Sequence, residues 1–232
     1  MILGFDTATA ATAVAVWSPD GPAVERRDDP AAGERPNHAA RLLVLIEGTL
    51  AAADAGWDEV ERIAVGVGPG GFTGLRLGIA TARALAQARN LPLTGVSSLE
   101  ALAAGATHEA RAGAAGGARA VVSGEGRGVV AVIDARRGEV FAAAPRSFGP
   151  VAIAPDALAA RLEPGSLAVG DGAIRFREEL ERAGAVVPAD GSELHRVSAL
   201  QVCRLGAAQE PGDRDALLPD YRREPDAKPR QQ

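Results

Sequence analysis

The chain has 232 residues, 47% apolar, 24% charged and only 3% aromatic, so it can bury one large core or two small ones built mainly from aliphatic side chains. Its formal charge, 25 − 30 = −5, offers no general excess of positive charge for gripping phosphates, and the single lysine, Lys228, excludes lysine chemistry from the core. One cysteine, Cys203, excludes an internal disulfide, and His38, His108 and His195 show no metal spacing, so no metal and no cofactor are expected.

The first residues lack a basic segment followed by a long apolar run, and no stretch reaches the roughly 18 apolar residues of a spanning helix. A cytoplasmic protein without membrane contact is the expectation. Residues 2–6 and 12–17 read as two short strands joined by a small-residue turn and closed by Ser18-Pro19-Asp20-Gly21. A third strand is expected at 23–27 and a loop at 28–36.

A helix follows over 37–53 with Asn37 as its N-cap, and its apolar residues occupy more than one stripe. That width requires burial on two sides or an exposed patch that awaits a partner. Residues 62–68 read as a buried strand, Pro69-Gly70-Gly71 as a turn and 73–89 as a second helix. Gly74, Gly78 and Ala82 make a ridge poor in side chains along that helix. Each interior glycine costs about 0.8–1 kcal/mol relative to alanine, which close approach of another backbone would offset. That backbone belongs either to the chain's own sheet or to a partner.

A strand at 93–96 and a helix at 98–106 precede a stretch rich in Ala, Gly and Arg, residues 105–128, that reads as a connection. Residues 129–134 and 139–144 then form a second hairpin, followed by helices at 155–162, 174–183 and 198–209 and a strand at 166–169. The expected division is a first lobe at 1–108, a connection at 109–128, a second lobe at 129–215 and a flexible tail at 216–232. Each lobe is a mixed sheet opened by a hairpin that ends in an aspartate, Asp6 or Asp134, and flanked by helices.

Two sites offer chemistry. The segment from Gly68 to Arg76 joins strand to helix, yet lacks the Gly-Lys-Ser/Thr of a P-loop, so it reads as a phosphate-binding turn or simply a tight one. Asp6, Thr7 and Asp134 stand where a magnesium nucleotide could be organised, or where aspartates cap turns. Ala135-Arg136-Arg137 is bulky for a phosphate wrap. No acid, base and nucleophile set accompanies Cys203 or His38, so no catalytic residue is assigned.

The segments ILGFDTATAATAVAV, NHAARLLVLIEGTL, RIAVGVGPGGFTGLRLGIATARALAQ, GVSSLEALA, VIDARRGEVF and VGDG resemble the TsaB (YeaZ) family of the bacterial tRNA threonylcarbamoyladenosine machinery. The resemblance runs to about residue 172, and departs from the family pattern at Gly71, where serine is usual. It implies an actin-like α/β fold of two lobes and a non-catalytic subunit paralogous to the transferase TsaD. It also implies that the helices at 37–53 and 73–89 bind TsaD, that TsaE joins the assembly, that a homodimer forms when the chain is alone, and that tRNA is met only through the complex. Helical spacing nominates Leu42, Leu45, Ile46, Leu50, Gly74, Gly78, Ile79 and Ala82 for the partner contact. On that choice, Gly78→Leu would block docking and leave the fold intact. The rival reading is an autonomous ATPase or kinase using Asp6 and Asp134 with magnesium.

Overall fold

The computed structural model describes residues 1–31, 33–112 and 128–222. Within them the chain builds one sheet in the order β3-β2-β1-β4-β5 and another in the order β8-β7-β6-β9. The first comprises β1 (Ile2–Asp6), β2 (Thr12–Trp17), β3 (Ala23–Asp28), β4 (Arg62–Gly68) and β5 (Leu93–Ser97). β1 pairs antiparallel with β2, setting Phe5 opposite Val14, and parallel with β4, setting Leu3 beside Ile63.

Alternation along these strands gives the sheet two different faces. Leu3, Phe5, Val14, Val16, Ile63 and Val65 point to one side, where α1 (His38–Ala52) and α2 (Phe72–Arg89) bury them. Gly4, Ala13, Ala15 and Ala64 occupy the other side. That small-residue face lets α7 (Ala199–Ala207), a helix from the far end of the chain, lie close against the sheet.

The second sheet comprises β6 (Val129–Arg136), β7 (Glu139–Ala144), β8 (Phe148–Ile153) and β9 (Leu167–Val169). Val130 and Val132 face α4 (Pro155–Ala159), α5 (Asp171–Arg175) and α6 (Arg177–Arg182), whereas Ala131 and Ile133 face α3 (Ser98–Ala112). The helices therefore do not sort by sequence half. α3, from the first half, packs on β6 and β7, and α7, from the second half, packs on β1, β2, β4 and β5. Leu99, Leu102, Ile133, Val169, Leu194 and Val202 belong to one core that joins both sheets.

Several boundaries differ from the sequence reading. β8 was not anticipated because Gly149-Pro150 imitates a turn, yet Val140 pairs with Ile153 and Ala142 with Val151. α3 continues past 106 to Ala112, and the rest of the expected connection, 113–127, lies outside the described residues. The helix expected at 174–183 is broken at Phe176, and Asn37 flanks α1 without a side-chain capping bond.

Candidate functional site

β1 ends in Asp6, where the chain turns toward β2. The Asp6 carboxylate accepts the Ala8 amide at 2.8 Å and the Ser98 hydroxyl at 2.5 Å, and the residue is 1% exposed. Burial pushes its carboxyl above the usual carboxylate range, against the opposing pull of the Ser98 and Ala8 hydrogen bonds and the Arg27 charge.

The glycine-rich turn packs directly on this one. Gly71 N–H donates to the Ala8 carbonyl at 2.6 Å and Thr7 Oγ1 donates to the Gly74 carbonyl at 2.8 Å. A Cβ at Gly74 would collide with the Thr7 carbonyl, and one at Gly78 with Thr7 Oγ1. The small-residue ridge thus meets the chain's own β1–β2 turn, because α2 could not otherwise come this close. His38 fastens α1 to the same turn through a hydrogen bond between Nδ1 and the Thr12 hydroxyl at 2.8 Å, and burial pushes its imidazole below the ordinary histidine range.

Opposite stands Asp134 at the second hairpin. Arg175 donates to its Oδ2 at 2.7 Å, Arg136 pairs with the same oxygen at 3.2 Å, and the Arg136 amide donates to Oδ1 at 2.9 Å. Each of the four oxygens of Asp6 and Asp134 already accepts a protein hydrogen bond. Arg136 and Arg137 both take positive φ, 66° and 53°, a region that costs an L-residue about 1–2 kcal/mol. Beside Asp134 lies Asp171, whose carboxyl is pushed up by burial and whose Oδ1 accepts the Asp134 amide at 3.0 Å.

Between the two hairpins runs a cleft of about 830 Å³, walled by Thr7, Gly71 and Phe72 on one side and Asp134 and Arg136 on the other, with Tyr221 also in its lining. Asp6 does not line it. Among the described residues no three His, Cys, Asp or Glu side chains converge as a metal cluster would.

A family profile described as "TsaD: tRNA N6-adenosine threonylcarbamoyltransferase" matches residues 33–169, more than half the chain. The "tRNA threonylcarbamoyladenosine biosynthesis protein TsaB" of Escherichia coli is 37% identical over 60% of this chain, a match that covers 52% of that relative, so the chain spans about half its length. An uncharacterised protein of Mycobacterium bovis, Mb3455c, is 33% identical over 98% of this chain and 94% of its own length. Among solved structures, YeaZ from Pseudomonas aeruginosa superposes with a TM-score of 0.72 at 26% identity, covering 95% of this chain and 98% of that one. The chain belongs to the TsaB (YeaZ) family.

The fold is accordingly the actin-like α/β fold that the resemblance implies. For this TsaB-family chain, the residues nominated for partner contact need correction. Leu42 (1% exposed), Leu45, Ile46, Leu50, Ile79 and Ala82 are buried against the first sheet, and Gly74 and Gly78 face Thr7. Helical spacing identifies a stripe but does not say which stripe the sheet takes. The solvent side of α1 instead carries Leu43 and Val44, 53% and 60% exposed, with Ala80 and Ala84 exposed and Leu77 half-buried on the adjoining α2. The sequence signal for this second stripe was the excess width of the apolar face on 37–53. Two further anchors, His38 and the Phe72–Tyr221 pair, involve residues in segments already read from the sequence, but their partners lie far along the chain and carry no local signal.

Proposed function

We propose that this chain is a docking subunit of the tRNA threonylcarbamoyladenosine machinery, binding a TsaD-type catalytic subunit through the outer face of α1 and α2. In that arrangement the partner transfers the threonylcarbamoyl group to adenosine, and this chain holds the partner in a competent form. The observation that carries the reading is the pair Leu43 and Val44, large aliphatic side chains more than half exposed on a helix already buried on its other side. With just over half of each side chain still to be covered, a partner that buries them fully gains roughly half of the ~1.5–3 kcal/mol of complete burial at each.

The cleft supports a docking role over a catalytic one. In the turn after Asp6, which would have to wrap phosphate, the Thr7 hydroxyl and the Ala8 carbonyl are engaged by Gly74 and Gly71 and the Ala8 amide by Asp6 itself, and the oxygens of Asp6 and Asp134 are engaged by protein groups. A TsaE-type ATPase would join the assembly, tRNA would reach this chain through the complex, and the setting would be the cytoplasm. A homodimer through the same face is the arrangement expected of the isolated chain, because an isologous contact uses one patch twice.

Co-expression with the TsaD-type subunit of the same organism tests the reading. Leu43→Glu should abolish co-purification and leave the melting temperature of the chain unchanged. Retention of the complex by that variant rules the face out. Micromolar ATP binding by the isolated chain, lost on Asp6→Ala, would instead favour the ATPase reading.

A further inference from the structure

After α7 the chain runs back along the flank of the first sheet. Gly212 bridges Leu93 on the edge strand β5, Arg214 donates to the Ala86 carbonyl at 3.0 Å, and Arg83 donates to Asp215 at 3.1 Å. Leu217 packs into the first-sheet core and the Asp220 amide donates to the Val67 carbonyl at 2.8 Å. These contacts move in order from the end of α2 toward its start, so residues 212–222 form a strap that also covers part of the β5 edge.

The tip of the strap does something more. The Tyr221 ring stacks on Phe72 with centroids 5.3 Å apart, and the Arg76 guanidinium lies 3.7 Å from the Phe72 ring centre while its Nε donates to the Tyr221 hydroxyl at 2.8 Å. One residue further, Arg222 donates to the Pro150 carbonyl on β8 of the second sheet at 3.3 Å and pairs with Asp220. Tyr221 and Arg222 both line the cleft.

We propose that this tip is a latch: Tyr221 and Arg222 tie the second sheet to the first turn of α2, so the cleft wall they line and the docking helix move together. Phe72 and Tyr221 are each 41% exposed, and half-exposed stacking, cation–π and hydrogen-bond contacts are individually weak. The latch therefore opens without unfolding the core beneath it. Its consequence for docking rests on the reading of α1 and α2 as the docking face, whereas the tie between the sheets does not.

Hydrogen exchange on the full chain decides it. Tyr221→Ala should raise amide exchange in residues 72–79 and in β8 together, about fivefold, with β1 unchanged. Tyr221→Phe, which keeps the stack, should give a smaller rise in both. A rise confined to the neighbours of residue 221, or none at all, overturns the latch. Binding to the TsaD-type subunit is the second arm, where Tyr221→Ala should raise Kd about fivefold with Leu43 and Val44 intact. Exchange that rises at both places with Kd unmoved overturns the coupling to docking. If Leu43→Glu binds normally, the docking reading fails while the exchange data still judge the latch.

Discussion

Asp6 and His195 are buried titratable groups whose pKa values are displaced in opposite directions, each toward the neutral form, and both report a structural use. Burial raises the Asp6 carboxyl, so the folded chain holds its proton more tightly than the unfolded one and stability from this group falls as pH rises through that range. Ionising this buried carboxyl is a cost that its two hydrogen bonds oppose. Asp6→Asn keeps an acceptor for the Ala8 amide, and the Ser98 hydroxyl can rotate to accept. Urea unfolding at pH 7.5 should therefore show equal or greater stability, and a loss above about 1 kcal/mol would mean the negative charge itself is needed. His195 works the other way. Its Nδ1 accepts the Gly170 amide at 3.0 Å and its Nε2 faces the Pro188 carbonyl at 3.1 Å, an arrangement for the neutral ring with the proton on Nε2. Burial lowers its pKa, as it does for His38, so below about pH 6.5 the unfolded chain takes up protons that the folded chain refuses, and stability falls as pH falls. His195→Gln should flatten this decline between about pH 6.5 and 5, measured as unfolding free energy against pH. An unchanged slope would show that the ring is not held neutral.

The helices α1 and α2 show what could be read from sequence and what could not. Their positions, their length and the excess width of the apolar face on α1 were legible, because 3.6-residue periodicity survives in any context. The assignment of faces was not, since Leu42 and Leu43 are chemically identical neighbours and only the sheet distinguishes them. The glycines of α2 were ambiguous for a related reason: a small-residue ridge fits a foreign backbone as well as it fits Thr7. Asp6 was legible as a strand end, whereas Asp134 lies inside β6, which runs on to Arg136, and their partners Ser98 and Arg175 lie 92 and 41 residues away and carry no local signature. The geometry reverses the expected outcome of Gly78→Leu. With Thr7 Oγ1 directly in the path of a new Cβ, this substitution should destabilise the chain by about 2–4 kcal/mol or leave it insoluble, rather than block docking on an intact fold. Chemical denaturation of the variant measures this, and a parent-like midpoint would place α2 elsewhere. Leu43→Ala one helix away should cost no more than about 0.5 kcal/mol.

At the scale of the molecule, 232 residues in two sheets would ordinarily allow two independently melting units. The exchange of helices argues against that. The Gly4, Ala13, Ala15 and Ala64 face of the first sheet is covered by α7, which the chain supplies only after completing the second sheet, and α3 returns the cover in the other direction. Glu25 on β3 locks the exchange by accepting the Ser198 hydroxyl at 2.8 Å and the Ala199 amide at 2.9 Å at the start of α7, where a carboxylate also complements the helix dipole. Neither half can hide its apolar face alone, so the two sheets should unfold in one transition. Trp17 and Trp57 report the first sheet, and a tryptophan introduced by Phe148→Trp would report the second. Their urea midpoints should coincide, and two separated midpoints would show that the shared core does not couple the sheets. Gly206 supplies the sharper form of the test. A Cβ there would lie 2.7 Å from the Ala64 Cβ, so Gly206→Val should push α7 off the first sheet at a cost of about 1–3 kcal/mol. Because α7 also packs on α3, that cost should move the second-sheet midpoint by the same amount as the first, although the substitution touches only the first.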